Sequence, residues 1–182
     1  MCSSGERYDR QYWRELERAM RETGDFSDGR RLKHFALRQT YYAKRAVVYP
    51  ATEGYVPRQK IWGYGAILKT KDPEWVELGL VYVAPERRRK GWSRRIVQQL
   101  VDDVPSDTRV FAITSKPVMM KVLDSCGFEP VTAKTTPDVS VWGLRVGLKN
   151  EIGSNGRLPE SALTILLPNP VEGERWLFMR KA

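Results

Sequence analysis

Between Glu77 and Val104 the hydrophobic period changes in mid-stretch, and this change constrains the fold more than any other feature. Leu78, Leu80, Val81 and Val83 form an aliphatic, β-branched run that reads as a strand. Pro85 ends it, because proline has no N–H to give a ladder. Arg87, Arg88, Arg89, Lys90 and Gly91 follow as a basic turn. From Trp92 onward, Ile96, Val97, Leu100, Val101 and Val104 recur on one face of a helix. The amides of a first helical turn have no internal acceptors and carry positive partial charge. Gly91, at the start of that helix, lets a ligand approach bare backbone. Strand, basic glycine turn and helix N-terminus together make a phosphate-binding arrangement.

Charge supports an anionic ligand without choosing one. The 182 residues carry a formal net charge of +9, which suits phosphates, an acidic protein surface or nucleic acid. A hydrophobic content of 41% excludes a disordered chain, and the length allows a single domain with a sizeable core. The longest apolar run, Ala162 to Pro168, is too short for a membrane span of about 20 residues. The opening MCSSGERYDR lacks the apolar core of a signal peptide, so the expectation is a cytoplasmic chain. Cys2 and Cys126 form no disulfide framework, and no Cys/His spacing suggests a metal site. His34 reads as a partly exposed helix residue with no catalytic role.

Taken in order, residues 1–7 are a polar tail, and Tyr8 to Arg21 is an amphipathic helix. A second helix is predicted from about Arg30 to Tyr42, with Leu32, Phe35, Ala36 and Gln39 at helical spacing. Arg45 to Tyr49 and Ile61 to Leu68 are strands; Gly63 and Gly65 in the second hint at a bulge or at close approach by another backbone. After the central strand, turn and helix, Val110 to Thr114 is a buried strand. Ser115 is a capping candidate ahead of Pro117, which opens a helix carrying Val118, Met119, Val122, Leu123 and Cys126. Gly127 ends that helix, and Phe128 to Thr132 is a strand. Val139 to Leu148 reads as strand or short helix, and Ala162 to Leu167 and Arg175 to Arg180 as final strands.

Val83-x-Pro85-x-x-Arg88-x-x-Gly91-x-Ser93 resembles the acetyl-CoA-binding signature of the GNAT superfamily of N-acetyltransferases, with Ser93 as the small last residue. The run VFAITSKPVMMKVLDSCGF, Val110 to Phe128, looks like that family's fifth strand, next helix and Gly-Phe terminator, and IWGYGAIL like its third strand. The resemblance covers about Ala46 to Thr132.

The resemblance implies an α/β fold with a central mixed β-sheet flanked by helices, forming one domain over residues 1–182 with a divergent extension over 135–182. It implies acetyl-CoA as co-substrate and direct transfer of the acetyl group to an amine. The acceptor is expected to be a protein lysine or N-terminus. A small-molecule amine, an RNA-borne amine such as aminoacyl-tRNA, and a non-catalytic GNAT-fold binding module are the competing readings. The oligomeric expectation is a monomer or homodimer, with no membrane partner.

Site residues follow residue by residue. Coenzyme A carries about four negative charges, and Glu86 to Arg95 holds six cations against one anion. The backbone amides of Arg89, Lys90, Gly91, Trp92 and Ser93 are expected to cradle the diphosphate, with the Arg88 side chain among the cations that attract the ligand, while Trp92's ring either packs or lines it. Main-chain groups of Val81 and Val83 are expected to pair with the pantetheine arm, and an N–H near Val81 or Tyr82 to polarise the thioester carbonyl. Ser115 or Lys116 stands where many relatives hold an asparagine near the ligand. Glu77 is the candidate base, acting through water; its other reading is a solvated strand-end carboxylate. Leu123 occupies the position of the family's proton-donating tyrosine, leaving Tyr82, Ser115 and Ser125 as substitutes.

Overall fold

The computed structural model describes residues 10–26, 32–50, 60–69, 74–114, 116–130 and 176–180. Ser115, the polar tail and the predicted segments Val139 to Leu148 and Ala162 to Leu167 lie outside these residues. The elements, in order, are α1 (Arg10–Glu22), α2 (His34–Tyr42), β1 (Ala46–Tyr49), β2 (Gly63–Lys69), β3 (Trp75–Val83), α3 (Trp92–Asp102), β4 (Arg109–Thr114), α4 (Pro117–Asp124), β5 (Phe128–Pro130) and β6 (Trp176–Arg180). A single 3-10 turn, Pro85–Arg87, joins β3 to the basic turn. The strands form one mixed sheet in the order β1-β2-β3-β4-β6-β5. β1 runs antiparallel to β2, β3 parallel to β4, and both β4 and β5 antiparallel to β6. The mixed α/β architecture is the one the sequence predicts.

The chain divides into two compact units, one of residues Met1–Ile67 with Leu80–Leu100, the other of Leu68–Gly79 with Val101–Ala182. In the first, α1 buries Trp13, Leu16 and Met20, one helical stripe. Trp13 meets Tyr41 at 5.5 Å and Tyr64 edge-on at 6.4 Å. The buried Tyr64 hydroxyl donates to the carbonyl of Leu37 at 3.2 Å, so its polar end is satisfied inside the core. Ile96, Val97 and Leu100 of α3 are buried, as the helical period requires.

The glycines of β2 serve close packing. A Cβ built at Gly65 would lie 2.4 Å from Ile96 Cγ2 and 2.8 Å from Leu100 Cδ1. The sequence suggested a bulge or a neighbouring backbone; what closes on Gly65 is the side-chain layer of α3. Gly65→Ala is therefore expected to destabilise the fold by about 1–3 kcal/mol through overpacking. Urea unfolding measures it, and an unchanged midpoint would show that α3 yields freely.

Two differences from the sequence reading concern the helices. α2 begins at His34, and the buried residue on it is Leu37, whereas Phe35 is 51% exposed. Val118 of α4 is 73% exposed, and Cys126 lies just past that helix, buried and unbridged. In each case helical spacing marked an apolar residue, but the neighbours chose the inward face.

His34 has a structural role that spacing did not reveal. Its N–H donates to Glu17 Oε2 at 2.7 Å, and its Nδ1 lies 3.0 Å from the same oxygen. Burial alone would raise the Glu17 pKa; the His34 backbone and ring bonds, with Arg21, outweigh it and hold the carboxyl below its usual range. A group with a lowered folded pKa stabilises above the ordinary carboxylate range and loses that contribution as pH falls through the lowered value. Glu17→Gln is expected to cost about 1 kcal/mol at neutral pH, modest because the pair is partly solvated. The gap to wild type should close in acid, which unfolding midpoints at two pH values would show.

In the second unit, β3 pairs with β4 from Trp75↔Arg109 to Leu78↔Ala112. Ile113 and Thr114 continue the ladder on the other side, against Leu177 and Trp176. Trp75 packs on Phe111 at 6.2 Å, with the Arg109 guanidinium 5.3 Å from the Trp75 ring. α4 carries the fully buried Leu123 and opens with Pro117 in its first turn.

Candidate functional site

The register of β3 with β4 covers four residue pairs and stops at Leu78. Two residues later Leu80 adopts φ +57°, a left-handed conformation that costs a residue with a Cβ about 1–3 kcal/mol. The strand then continues through Val81, Tyr82 and Val83. Val81 is half-buried; Tyr82 and Val83 are buried. Ala84 N–H donates to the Trp62 carbonyl at 2.7 Å, which ties the end of β3 to the start of β2.

The turn after β3 is built by its own backbone. Arg87 N–H donates to the Ala84 carbonyl at 2.8 Å and Arg88 N–H to the Pro85 carbonyl at 3.2 Å. Arg89 at φ +62° and Gly91 at φ +76° then reverse the chain. The Gly91 carbonyl accepts the first helical bond of α3, from Arg95 N–H at 3.1 Å. Trp92 and Ser93 thus form the first turn, where amides have no intrahelical acceptor. A Cβ built at Gly91 would meet nothing within 4 Å, so no described atom crowds that side of the glycine. Val81, Tyr82, Val83, Arg88, Arg89, Lys90, Gly91, Trp92 and Ser93 all fall within the first unit.

The cations of this turn divide into groups. Arg88 bends back, with Nε donating to the Val83 carbonyl at 3.1 Å and a terminal nitrogen 3.8 Å from Asp25 Oδ2. Its guanidinium therefore braces the strand end. The Arg87 guanidinium lies 5.4 Å from the Trp62 ring and that of Arg95 4.9 Å from the Trp92 ring. Arg89 and Lys90 are exposed. Trp92 packs: its ring is 4.7 Å from Trp62 and 5.2 Å from Tyr49, whose hydroxyl donates to Gln99 Oε1 at 2.8 Å. Asp25, Tyr49 and Trp62 are site residues that the motif spacing missed, because each comes from a distant part of the chain.

Glu77 lies in the second unit, third in β3, paired in register with Phe111. It is only 6% exposed, so the solvated strand-end reading does not hold. Gly79, two residues on and on the same strand face, keeps the space beside it small: a Cβ there would lie 3.9 Å from Glu77 Oε1 and 3.2 Å from Leu68 Cδ1.

The substitutes for a proton-donating tyrosine separate clearly. Leu123 is a fully buried core residue. The Ser125 hydroxyl donates to the Val122 carbonyl at 2.8 Å, one turn of its own helix end. Burial pushes the Tyr82 phenol up; Glu86 adds to the shift, Arg88 opposes it and Glu22 adds a little more. Tyr82 therefore holds its proton through neutral pH. Among the described residues there is no group of acidic, His or Cys side chains able to hold a metal, and no helix long and apolar enough to cross a membrane.

Comparison with known proteins meets this geometry. Among solved structures, N-acetylglutamate synthase from Neisseria gonorrhoeae, solved with coenzyme A and N-acetylglutamate, superposes with TM-score 0.55 at 15% identity. That match covers 98% of this chain but 33% of the synthase. A Mycobacterium tuberculosis protein, Rv2747, solved with CoA, gives TM-score 0.57 at 14% identity over 97% of both chains. Ribosomal-protein-alanine N-acetyltransferase from Brucella melitensis gives 0.52 at 17% identity, covering 96% of this chain and 97% of that one. At these identities the likeness establishes the fold. No curated protein matches the sequence. The family model of the GNAT acetyltransferases matches residues 10–128, well over half the chain, and takes in α1 and α2 as well as the strand–turn–helix and the Gly-Phe helix end. The chain belongs to the acetyltransferase (GNAT) family.

Proposed function

We propose that this protein transfers an acetyl group from acetyl-CoA directly to an amine, most simply a lysine or N-terminal amine of a protein. The turn from Arg88 to Ser93 carries the proposal: two left-handed residues, an open Gly91 and a helix N-terminus, set among cations. First-turn amides and the local positive charge suit a diphosphate. Solved family-fold neighbours hold CoA or acetyl-CoA, among them a Salmonella typhimurium protein crystallised with acetyl-CoA (TM-score 0.51, 19% identity).

In this reading the backbone of Val81 and Val83 pairs with the pantetheine amides, and an N–H near Val81 or Tyr82 steadies the thioester oxygen as it gains charge. Glu77 takes the proton that a cationic amine must lose, through a water, since a free lysine has a pKa of about 10.4. The neutral amine nitrogen attacks the thioester carbon and forms the new C–N bond; as the C–S bond breaks the nitrogen gives up its second proton to water, and CoA leaves as thiolate. Tyr82, which keeps its proton through neutral pH, and Ser115 are candidate donors to that sulfur; without either, a thiolate of modest pKa departs unaided.

Calorimetric titration with CoA and with acetyl-CoA tests the donor half. One-site binding at micromolar ligand is expected for both. No heat from either ligand would remove the enzymatic reading and leave a GNAT-fold binding module.

A further inference from the structure

The outer face of α2 takes no part in the donor site. Leu37 is buried and Tyr41 meets Trp13 with rings tilted at 5.5 Å, which fixes the inward side of the helix. Phe35, Gln39 and Tyr42 lie on the opposite stripe, three to four residues apart. Phe35 is 51% and Tyr42 42% exposed, large rings left in solvent on a helix that has a core to bury them in. Each ring carries a cation: Lys33 Nζ is 5.9 Å from the Phe35 centroid, and the Arg38 guanidinium 5.2 Å from that of Tyr42. Lys44 and Arg45 follow the helix, and no Asp or Glu occurs in the sequence between Asp28 and Glu53. Glu17 of α1, an acid that meets this helix among the described residues, is bound to His34 at its start.

We infer that this face binds a single-stranded nucleic acid. Exposed rings interleaved with cations match a strand whose phosphates need positive charge and whose unpaired bases offer faces to stack on. A second copy of the same face would bring like charges together across a two-fold axis, and an acidic peptide would meet the cations without requiring the exposed rings. Gln39, between the rings, supplies an amide for base edges or a ribose hydroxyl. The inference is independent of acetyl transfer.

Fluorescence anisotropy of the full chain with a labelled single-stranded uridine oligonucleotide tests it, at low and physiological salt. Wild type is expected to bind with an affinity that falls as salt rises, and to prefer the single strand over a duplex. The double variant Phe35→Ala with Tyr42→Ala should weaken binding about tenfold or more with the salt slope kept. Arg38→Glu should weaken binding and flatten the slope. Thermal melts of each variant check that the fold is intact. Absence of binding at low salt, equal binding by the double variant, or equal binding of duplex would overturn the assignment. So would ring-dependent binding to anionic phospholipid vesicles without binding to the oligonucleotide.

Discussion

Gly91→Glu is expected to abolish donor binding while the fold survives. The position has φ +76°, so any residue with a Cβ is strained there by about 1–2 kcal/mol, a local cost. Space is not the obstacle, because a Cβ at Gly91 would meet nothing within 4 Å. The new carboxylate would stand where the diphosphate is proposed to lie. Repulsion of a few kcal/mol between like charges about 4 Å apart lowers CoA affinity by at least about a hundredfold. Gly91→Ala separates the causes: it adds strain without charge and should lose far less. Calorimetry reads both, with a thermal melt to confirm folding. Equal binding by wild type and Gly91→Glu would move the diphosphate away from this turn.

Glu77→Gln is expected to lower turnover by about 10²- to 10⁴-fold, the span typical of a lost general base. Glutamine has nearly the same shape, and the backbone pairing of residue 77 with Phe111 does not depend on the side chain. The donor KM should therefore hold while turnover falls. If turnover were unchanged, Glu77 would lose its role as base while the donor assignment stood. Loss of donor affinity with turnover kept would mark Glu77 as a structural carboxylate.

The strand, basic turn and helix are legible in the sequence because they are local. The change of period at Trp92, Pro85 at the strand end and Gly91 at the helix start are short-range signals, and the structure reproduces them as β3, a 3-10 turn and α3. Gly63 and Gly65 hint at a bulge or a neighbouring backbone, but nothing local says that the Ile96 and Leu100 side chains, some thirty residues on, close on Gly65. The His34–Glu17 clasp spans seventeen residues and the Arg88–Asp25 pair more than sixty. Such contacts follow from tertiary packing, not from spacing. α2 shows the same limit: its apolar spacing was real, yet packing turned Leu37 inward and left Phe35 in solvent. Ser115 and the predicted elements from 139 to 167 fall outside the described residues.

Transfer of radiolabelled acetyl from acetyl-CoA is the most direct test of the central claim. Purified enzyme would be incubated with a lysate, and the products divided into protein, RNA and small-molecule fractions. Direct transfer to an amine predicts label in an acid-stable amide on one of these fractions, with free CoA released in step with it. Label in the protein fraction would support the lysine or N-terminal acceptor. No label in any fraction, or label retained only on the enzyme as a thioester or ester, would contradict direct acetyl transfer to an amine.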